Sequence, residues 1–174
     1  MEFQLHKSLL RPWSVGDEAS LEHHANNRKI WLNVRDHFPH PYYHSDAVRW
    51  VQHASHNLSQ TVFAIVINGN AVGSIGLVPK NDVYRKSMEI GYWLGEEFWG
   101  QGIITEAVGA VSNYAFDQFD VVRLFADVFD WNKASIRVLE KNGYEFEARL
   151  KNAVYKNGKI SDALVYAKIK EPEQ

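Results

Sequence analysis

The stretch from Thr61 to Val78, TVFAIVINGNAVGSIGLV, constrains the fold more than any other part of this chain. A β-branched, apolar run meets Asn68-Gly69 and then a second apolar run. Asn-Gly tolerates the positive φ angles that a two-residue hairpin turn demands at both central positions. The middle of the chain is therefore expected to be antiparallel sheet, onto which every other element must pack.

The elements around this hairpin alternate. Phe3 to Trp13 is expected to be a first strand. Asp17 starts a helical stretch whose apolar face uses Ala19, Leu21, Ile30, Trp31 and Val34. RDHFPHPYYHS then breaks regular structure at Pro39 and Pro41, and Ser45 or Asp46 is placed to cap the next helix. In that helix Val48, Val51, Ala54 or Ser55, and Leu58 recur at helical spacing. Ser87 to Leu94 (SMEIGYWL) is expected to be a strand of the antiparallel meander. Ile103, Ile104, Ala107, Val108, Val111 and Ala115 recur as a helix packed on the sheet. VVRLFADVF is a further strand, and Asn132 to Lys141 a short helix ended by Asn142-Gly143 as a left-handed cap. Tyr144 to Leu150, an Asn157-Gly158 turn and Lys159 to Ile169 close the chain. No repeat or linker interrupts the 174 residues, so a single mixed α/β domain over 1–174 is expected.

Composition excludes several classes of function. With 45% hydrophobic and 23% charged residues the chain is an ordinary globular one, and a net charge of -2 gives no basic excess for tracking nucleic acid. The absence of cysteine excludes disulfides, thiolate metal sites and cysteine nucleophiles. No apolar run of membrane-spanning length and no signal-peptide pattern is present, so a cytoplasmic location is expected, with neither membrane nor nucleic acid as partner.

The glycines of EFWGQGIIT, Gly100 and Gly102, lie where a strand hands over to a helix. A helix N-terminus carries backbone N–H groups without intrahelical partners and a partial positive charge, and glycine lets a phosphate approach that backbone. A pyrophosphate cradle and a plain tight turn both fit. Neither standard phosphate motif matches, because no Gly-x-x-x-x-Gly-Lys-Ser/Thr occurs and the position three beyond Gly102 is Thr105. The preceding strand is also expected in the meander and not at the start of a parallel βαβ unit.

SMEIGYWLGEEFWGQGIITEAV followed by VRLFADVFDWNKASIRVLEKNGYEFEARL closely resembles the GNAT superfamily of acetyl-coenzyme A-dependent N-acetyltransferases. ANNRKIWLNVRDHFPHPYYHSDAVRWV is similar to the RimJ/RimL-like branch. The resemblance runs from about Leu10 to Ile169. It implies a mostly antiparallel twisted sheet of about seven strands, splayed between the fourth (Ser87–Leu94) and the fifth (VVRLFADVF). It also implies direct acetyl transfer to a primary amine, with acetyl-CoA as cosubstrate and no metal. Gly100, Gln101, Gly102, Ile103, Ile104 and Thr105 would receive the pyrophosphate. Trp93 and Leu94 would meet the pantetheine arm, with a backbone N–H near Leu94 on the thioester carbonyl, and Asn132 would bond the same arm. Glu97 replaces the Gln/Arg that opens the superfamily's glycine pattern. Leu139 stands where many members have a tyrosine acid, so Ser135 becomes the candidate acid and Glu89 the candidate base. A bare helix cap for Asn132 and an ordinary strand position for Glu89 are the alternatives.

On the acceptor side the resemblance implies a pocket from Asp36, Phe38, Tyr42 and Tyr43. Aromatic rings suit a cationic amine. His37, His40 and His44 with Asp36 and Asp46 carry zinc-ligand chemistry, but Pro39 and Pro41 keep them off one helix face, and no metal is expected. A monomer or homodimer is expected. The alternative function is a non-catalytic acyl-CoA-binding regulatory module on the same fold.

Overall fold

A computed structural model of the chain describes residues 1–170. In chain order the elements are β1 (Phe3–Gln4), β2 (Leu9–Arg11), α1 (Glu18–Ala25), α2 (Arg28–Trp31), α3 (His44–Ser55), β3 (Val62–Ile67), β4 (Asn70–Pro79), β5 (Ser87–Leu94), α4 (Ile103–Gln118), β6 (Arg123–Phe129), α5 (Lys133–Lys141), β7 (Glu145–Lys156) and β8 (Lys159–Ile169). The strands form one sheet in the order β1-β2-β3-β4-β5-β6-β8-β7. The fold is therefore mixed α/β on a mostly antiparallel sheet. The sheet has eight strands and not seven, because the expected first strand is broken into β1 and β2, paired antiparallel. A bond from Leu5 N to Ser8 O closes the turn between them.

Asn68 and Gly69 sit at φ 50° and 81° at the tip of the β3–β4 hairpin, as their residue types demand. The cap of α3 differs from expectation. Helix α3 starts at His44, and Asp46 accepts from Tyr43 N at 2.9 Å, so the carboxylate lies inside the first turn and reaches back. The larger correction concerns β5. It pairs parallel with β6, so β5–α4–β6 is a parallel βαβ unit after all. Alternation of apolar residues marks a strand but carries no information on the direction of its neighbour.

The chain divides into two compact units. In the first, Met1–Gly76 with Tyr92–Ala107, Trp13, Leu21, Ala25, Tyr42, Ala47, Val51 and Ala64 form a buried core, with Phe38, Trp50 and Trp93 packed against it. Asp17 anchors its first loop through two bonds from the Arg11 guanidinium, at 2.7 and 2.8 Å. In the second, Leu77–Gly91 with Val108 onward, the buried residues include Val111, Ala115, Leu124, Leu139 and Tyr144. There Asn142 ends α5, and Gly143 turns the chain at φ 76°, the expected left-handed exit.

Candidate donor and acceptor sites

The loop into α4 is open at both glycines. Gly100 and Gly102 have φ 73° and 82°, and a Cβ added at either would meet nothing within 4 Å. Glycine is needed here for the left-handed backbone, not for crowding, and the space beside each Cα is clear. The first intrahelical bond of α4 runs from Glu106 N to Gly102 O at 3.1 Å, so the preceding N–H groups of the first turn point out of the helix end. Ile103 is buried and anchors that turn, Ile104 and Thr105 are half-buried, and Gln101 is exposed.

Two contacts from the N-terminal strand pair brace this loop. His6 N donates to Glu106 at 2.8 Å, and Lys7 Nζ donates to Gln101 O at 2.8 Å. Lys7 therefore brings a cation to the glycine loop, a role no local sequence signal announced. Gln101 donates its own amide to Glu97 O at 3.1 Å.

The acidic turn before the loop faces α1 and α2. Glu96 accepts from Lys29 and, at 2.7 Å, from Asn27, and the Lys29 hydrogen bond holds its carboxyl below the usual range, helped by Asn27. Glu97 lies 3.3 Å from His24. The residue that departs from the superfamily pattern is thus turned toward a histidine.

At the end of β5, Leu94 is buried and its carbonyl accepts from Trp99 Nε1 at 2.7 Å. Gly73 lies beneath it, where an added Cβ would come within 2.5 Å of Trp93 O. No sequence motif marks either contact, the Trp99 indole on Leu94 or the close approach of Gly73 to Trp93.

The parallel ladder of β5 and β6 covers three pairs, Ser87↔Arg123, Met88↔Leu124 and Glu89↔Phe125. Both strands continue, β5 to Leu94 and β6 to Phe129, with no further pair between them among the described residues. Glu89 occupies the last paired position. It is 8% exposed, and Lys80 Nζ donates to its Oε2 at 2.9 Å while lying 5.2 Å from the centroid of Phe125. Lys80 is a further residue that the sequence did not single out.

Asn132 caps α5, its Oδ1 accepting from Ser135 N at 3.2 Å. Ser135 is half-buried in the first turn of that helix. Leu139, where the resemblance led to the expectation of a tyrosine, is fully buried and is a core position here. The nearby Tyr144 is buried too. Burial pushes its phenol up to about 12, against the opposing bond to Ser112 at 2.8 Å.

Of the expected acceptor residues, the fold brings Phe38 and Tyr42 together, with ring centroids 5.1 Å apart, and sets Phe38 5.6 Å from Trp93. Tyr42 is buried, and burial raises its phenol to about 12. Tyr43 is exposed at the N-cap of α3, and Asp36 is exposed. The histidines of the Pro39–Pro41 segment turn to separate partners: His40 stacks on Trp31 and His44 pairs with Glu22 at 2.9 Å.

A mixed α/β sheet whose parallel pairing stops at Glu89 and whose crossover helix opens on two left-handed glycines defines the class. The chain belongs to the family described as Acetyltransferase (GNAT) domain, whose model matches residues 7–145. It is similar to the putative ribosomal N-acetyltransferase YdaF of Bacillus subtilis (strain 168), 34% identical over 106 residues, covering 61% of this chain and 57% of the relative. The ribosomal-protein-serine acetyltransferase of Escherichia coli (strain K12) is 34% identical over 97 residues, covering 55% and 54%. The match thus spans a little over half the length of these curated relatives. Among solved structures, the RimL ribosomal alpha-N-protein acetyltransferase in complex with coenzyme A shares the fold at TM-score 0.81 and 22% identity, over 98% of each chain. These relatives support the RimJ/RimL-like branch.

Proposed function

We propose that this chain is a single-domain, acetyl-CoA-dependent N-acetyltransferase that transfers acetyl directly to a primary amine, either a protein N-terminus or a small-molecule amine. The observation that carries this reading is the α4 entrance, where Gly100 and Gly102 hold the left-handed region beside open space at the N-terminus of a 16-residue helix. The backbone from Gly100 to Thr105 takes the pyrophosphate, with Lys7 as a nearby cation. Trp93 and Leu94 border the pantetheine arm, and Asn132 offers it the amide nitrogen left over from capping α5.

In the reaction, the acceptor ammonium first loses a proton to Glu89, directly or through a water. The neutral nitrogen then attacks the thioester carbonyl. Negative charge grows on the carbonyl oxygen, which the Leu94 N–H stabilises. The C–S bond breaks, and the departing thiolate takes the second proton that the attacking nitrogen sheds as the amide forms, relayed through the Ser135 hydroxyl or through water. The chain has no cysteine to carry the acetyl group, which favours direct transfer.

Phe38 and Tyr42, with Tyr43 and Asp36 at the surface, wall the acceptor. The names of the curated relatives favour acetylation over a purely regulatory acyl-CoA module. No described helix is long and apolar enough to cross a membrane, and a cytoplasmic monomer or homodimer fits this reading. Isothermal titration with acetyl-CoA tests the donor side, where no heat at millimolar ligand sinks the proposal. Following coenzyme A release over N-terminal peptides, polyamines, amino acids and aminoglycosides identifies the acceptor, and silence across the whole panel despite binding returns the non-catalytic reading.

A further inference from the structure

The last turn of α1 carries adjacent histidines, His23 and His24, and the fold sets Glu97 against them. One nitrogen of each imidazole and one carboxylate oxygen lie within 4.8 Å of one another. We infer that His23, His24 and Glu97 form a binding site for a divalent transition-metal ion such as Zn²⁺. The donor set is two neutral imidazoles and one carboxylate, a combination that suits zinc and its neighbours and leaves coordination positions open.

Three observations support a built site. His24 is held in place, its ring 5.6 Å from that of Phe98 in an edge contact and its Nδ1 3.3 Å from Glu97. The chain makes room for that ring at Gly95, where an added Cβ would stand 2.9 Å from His24 Nδ1. The His23 ring stands beside that of His24, edge-on, with the two centroids 4.8 Å apart. His23 and Glu97 are exposed and free to close the separation to the roughly 2 Å bonds zinc makes. An ion here joins α1 to the turn that leads into Gly100, and Glu97, which cannot serve the coenzyme as the superfamily's Gln or Arg does, gains a role of its own.

The test is isothermal titration of the full chain, free of any histidine tag and stripped with chelator, with zinc chloride and then cobalt chloride, whose visible absorption reports nitrogen and oxygen ligation. The inference requires one equivalent bound at micromolar concentration and a tenfold or greater loss of affinity in both His23→Gln and Glu97→Gln. His23 and Glu97 are surface positions, so these variants fold even if His24→Gln does not. His37→Gln and His44→Gln should bind as the parent does. Absent binding, affinity unchanged in His23→Gln, or affinity lost in His37→Gln or His44→Gln each overturns it. Acetyl-CoA plays no part in the measurement, so its result is independent of the proposed acetyl transfer.

Discussion

Lys80 Nζ donates to Glu89 Oε2 across 2.9 Å, at the point where the parallel pairing of β5 and β6 ends. Glu89 is almost fully buried, so the carboxylate proposed as the base is oriented by a lysine just past the end of β4. Replacing Lys80 takes this hydrogen bond from a nearly buried carboxylate. Lys80→Met is expected to cost about 1–3 kcal/mol of stability, visible as a lower urea midpoint, and to reduce kcat. Lys80→Arg retains most of both. Glu89→Gln is expected to fold normally but lose about 10²–10⁴-fold in kcat near neutral pH. Parental turnover in Glu89→Gln from neutral to alkaline pH removes this residue from the chemistry.

Glycines at three positions should respond differently. At Gly73 a Cβ would collide with the Trp93 carbonyl, a backbone atom that cannot rotate away. Gly73→Ala is expected to lower the melting temperature by the equivalent of about 1–3 kcal/mol or more, as overpacking does. At Gly100 and Gly102 there is room, and only the left-handed backbone resists, at about 1–2 kcal/mol each. Gly100→Ala and Gly102→Ala should therefore melt closer to the parent yet lose coenzyme affinity in calorimetry. Parental affinity in both removes the cradle.

Lys7 donates to the carbonyl of Gln101 and so stands at the edge of the glycine loop. An exposed cation there adds modestly to anion binding and is screened by salt. Lys7→Ala is expected to weaken coenzyme A binding by about 0.2–1 kcal/mol at low salt. The difference should shrink as sodium chloride is raised. A variant whose affinity matches the parent's at low salt assigns Lys7 to bracing the loop alone.

Burial raises the phenols of Tyr42 and Tyr144 to about 12. A raised folded-state pKa means that folding favours the protonated form. Their contribution is complete below the ordinary tyrosine value near 10 and is lost as pH climbs toward 12. Stability measured by urea titration should fall through that window. Tyr144→Phe is expected to flatten part of the alkaline decline while lowering stability near neutrality, because Ser112, fully buried, loses its partner. An alkaline limb unchanged in Tyr144→Phe assigns the loss to other groups.

Elements whose instructions are local were legible. Asn68-Gly69 set the hairpin tip, Asn142-Gly143 set the exit of α5, and a run rich in aromatic and apolar residues marked Ser87–Leu94 to the residue. Asn132 was expected at the opening of α5 and stands there as its cap. Less was legible where one residue's part depends on a distant partner. Tyr144 has the residue type of an acid, yet its hydroxyl bonds Ser112, 32 positions away. The histidines around Pro39 are neighbours in the sequence and turn to separate partners in the fold, while His24 meets Glu97 across more than seventy positions.

The amino-acid sequence by itself determined the kinds of element, the turns and the place of the glycine loop. Each of these rests on φ preferences and side-chain periodicity acting over a few residues. Tertiary structure alone decided that β5 runs parallel to β6, that their pairing stops at Glu89, and that Lys80, Lys7 and Trp99 reach the groups they hold. Strand direction and long-range partners follow from how whole faces bury their apolar area together, and no local preference encodes that sum.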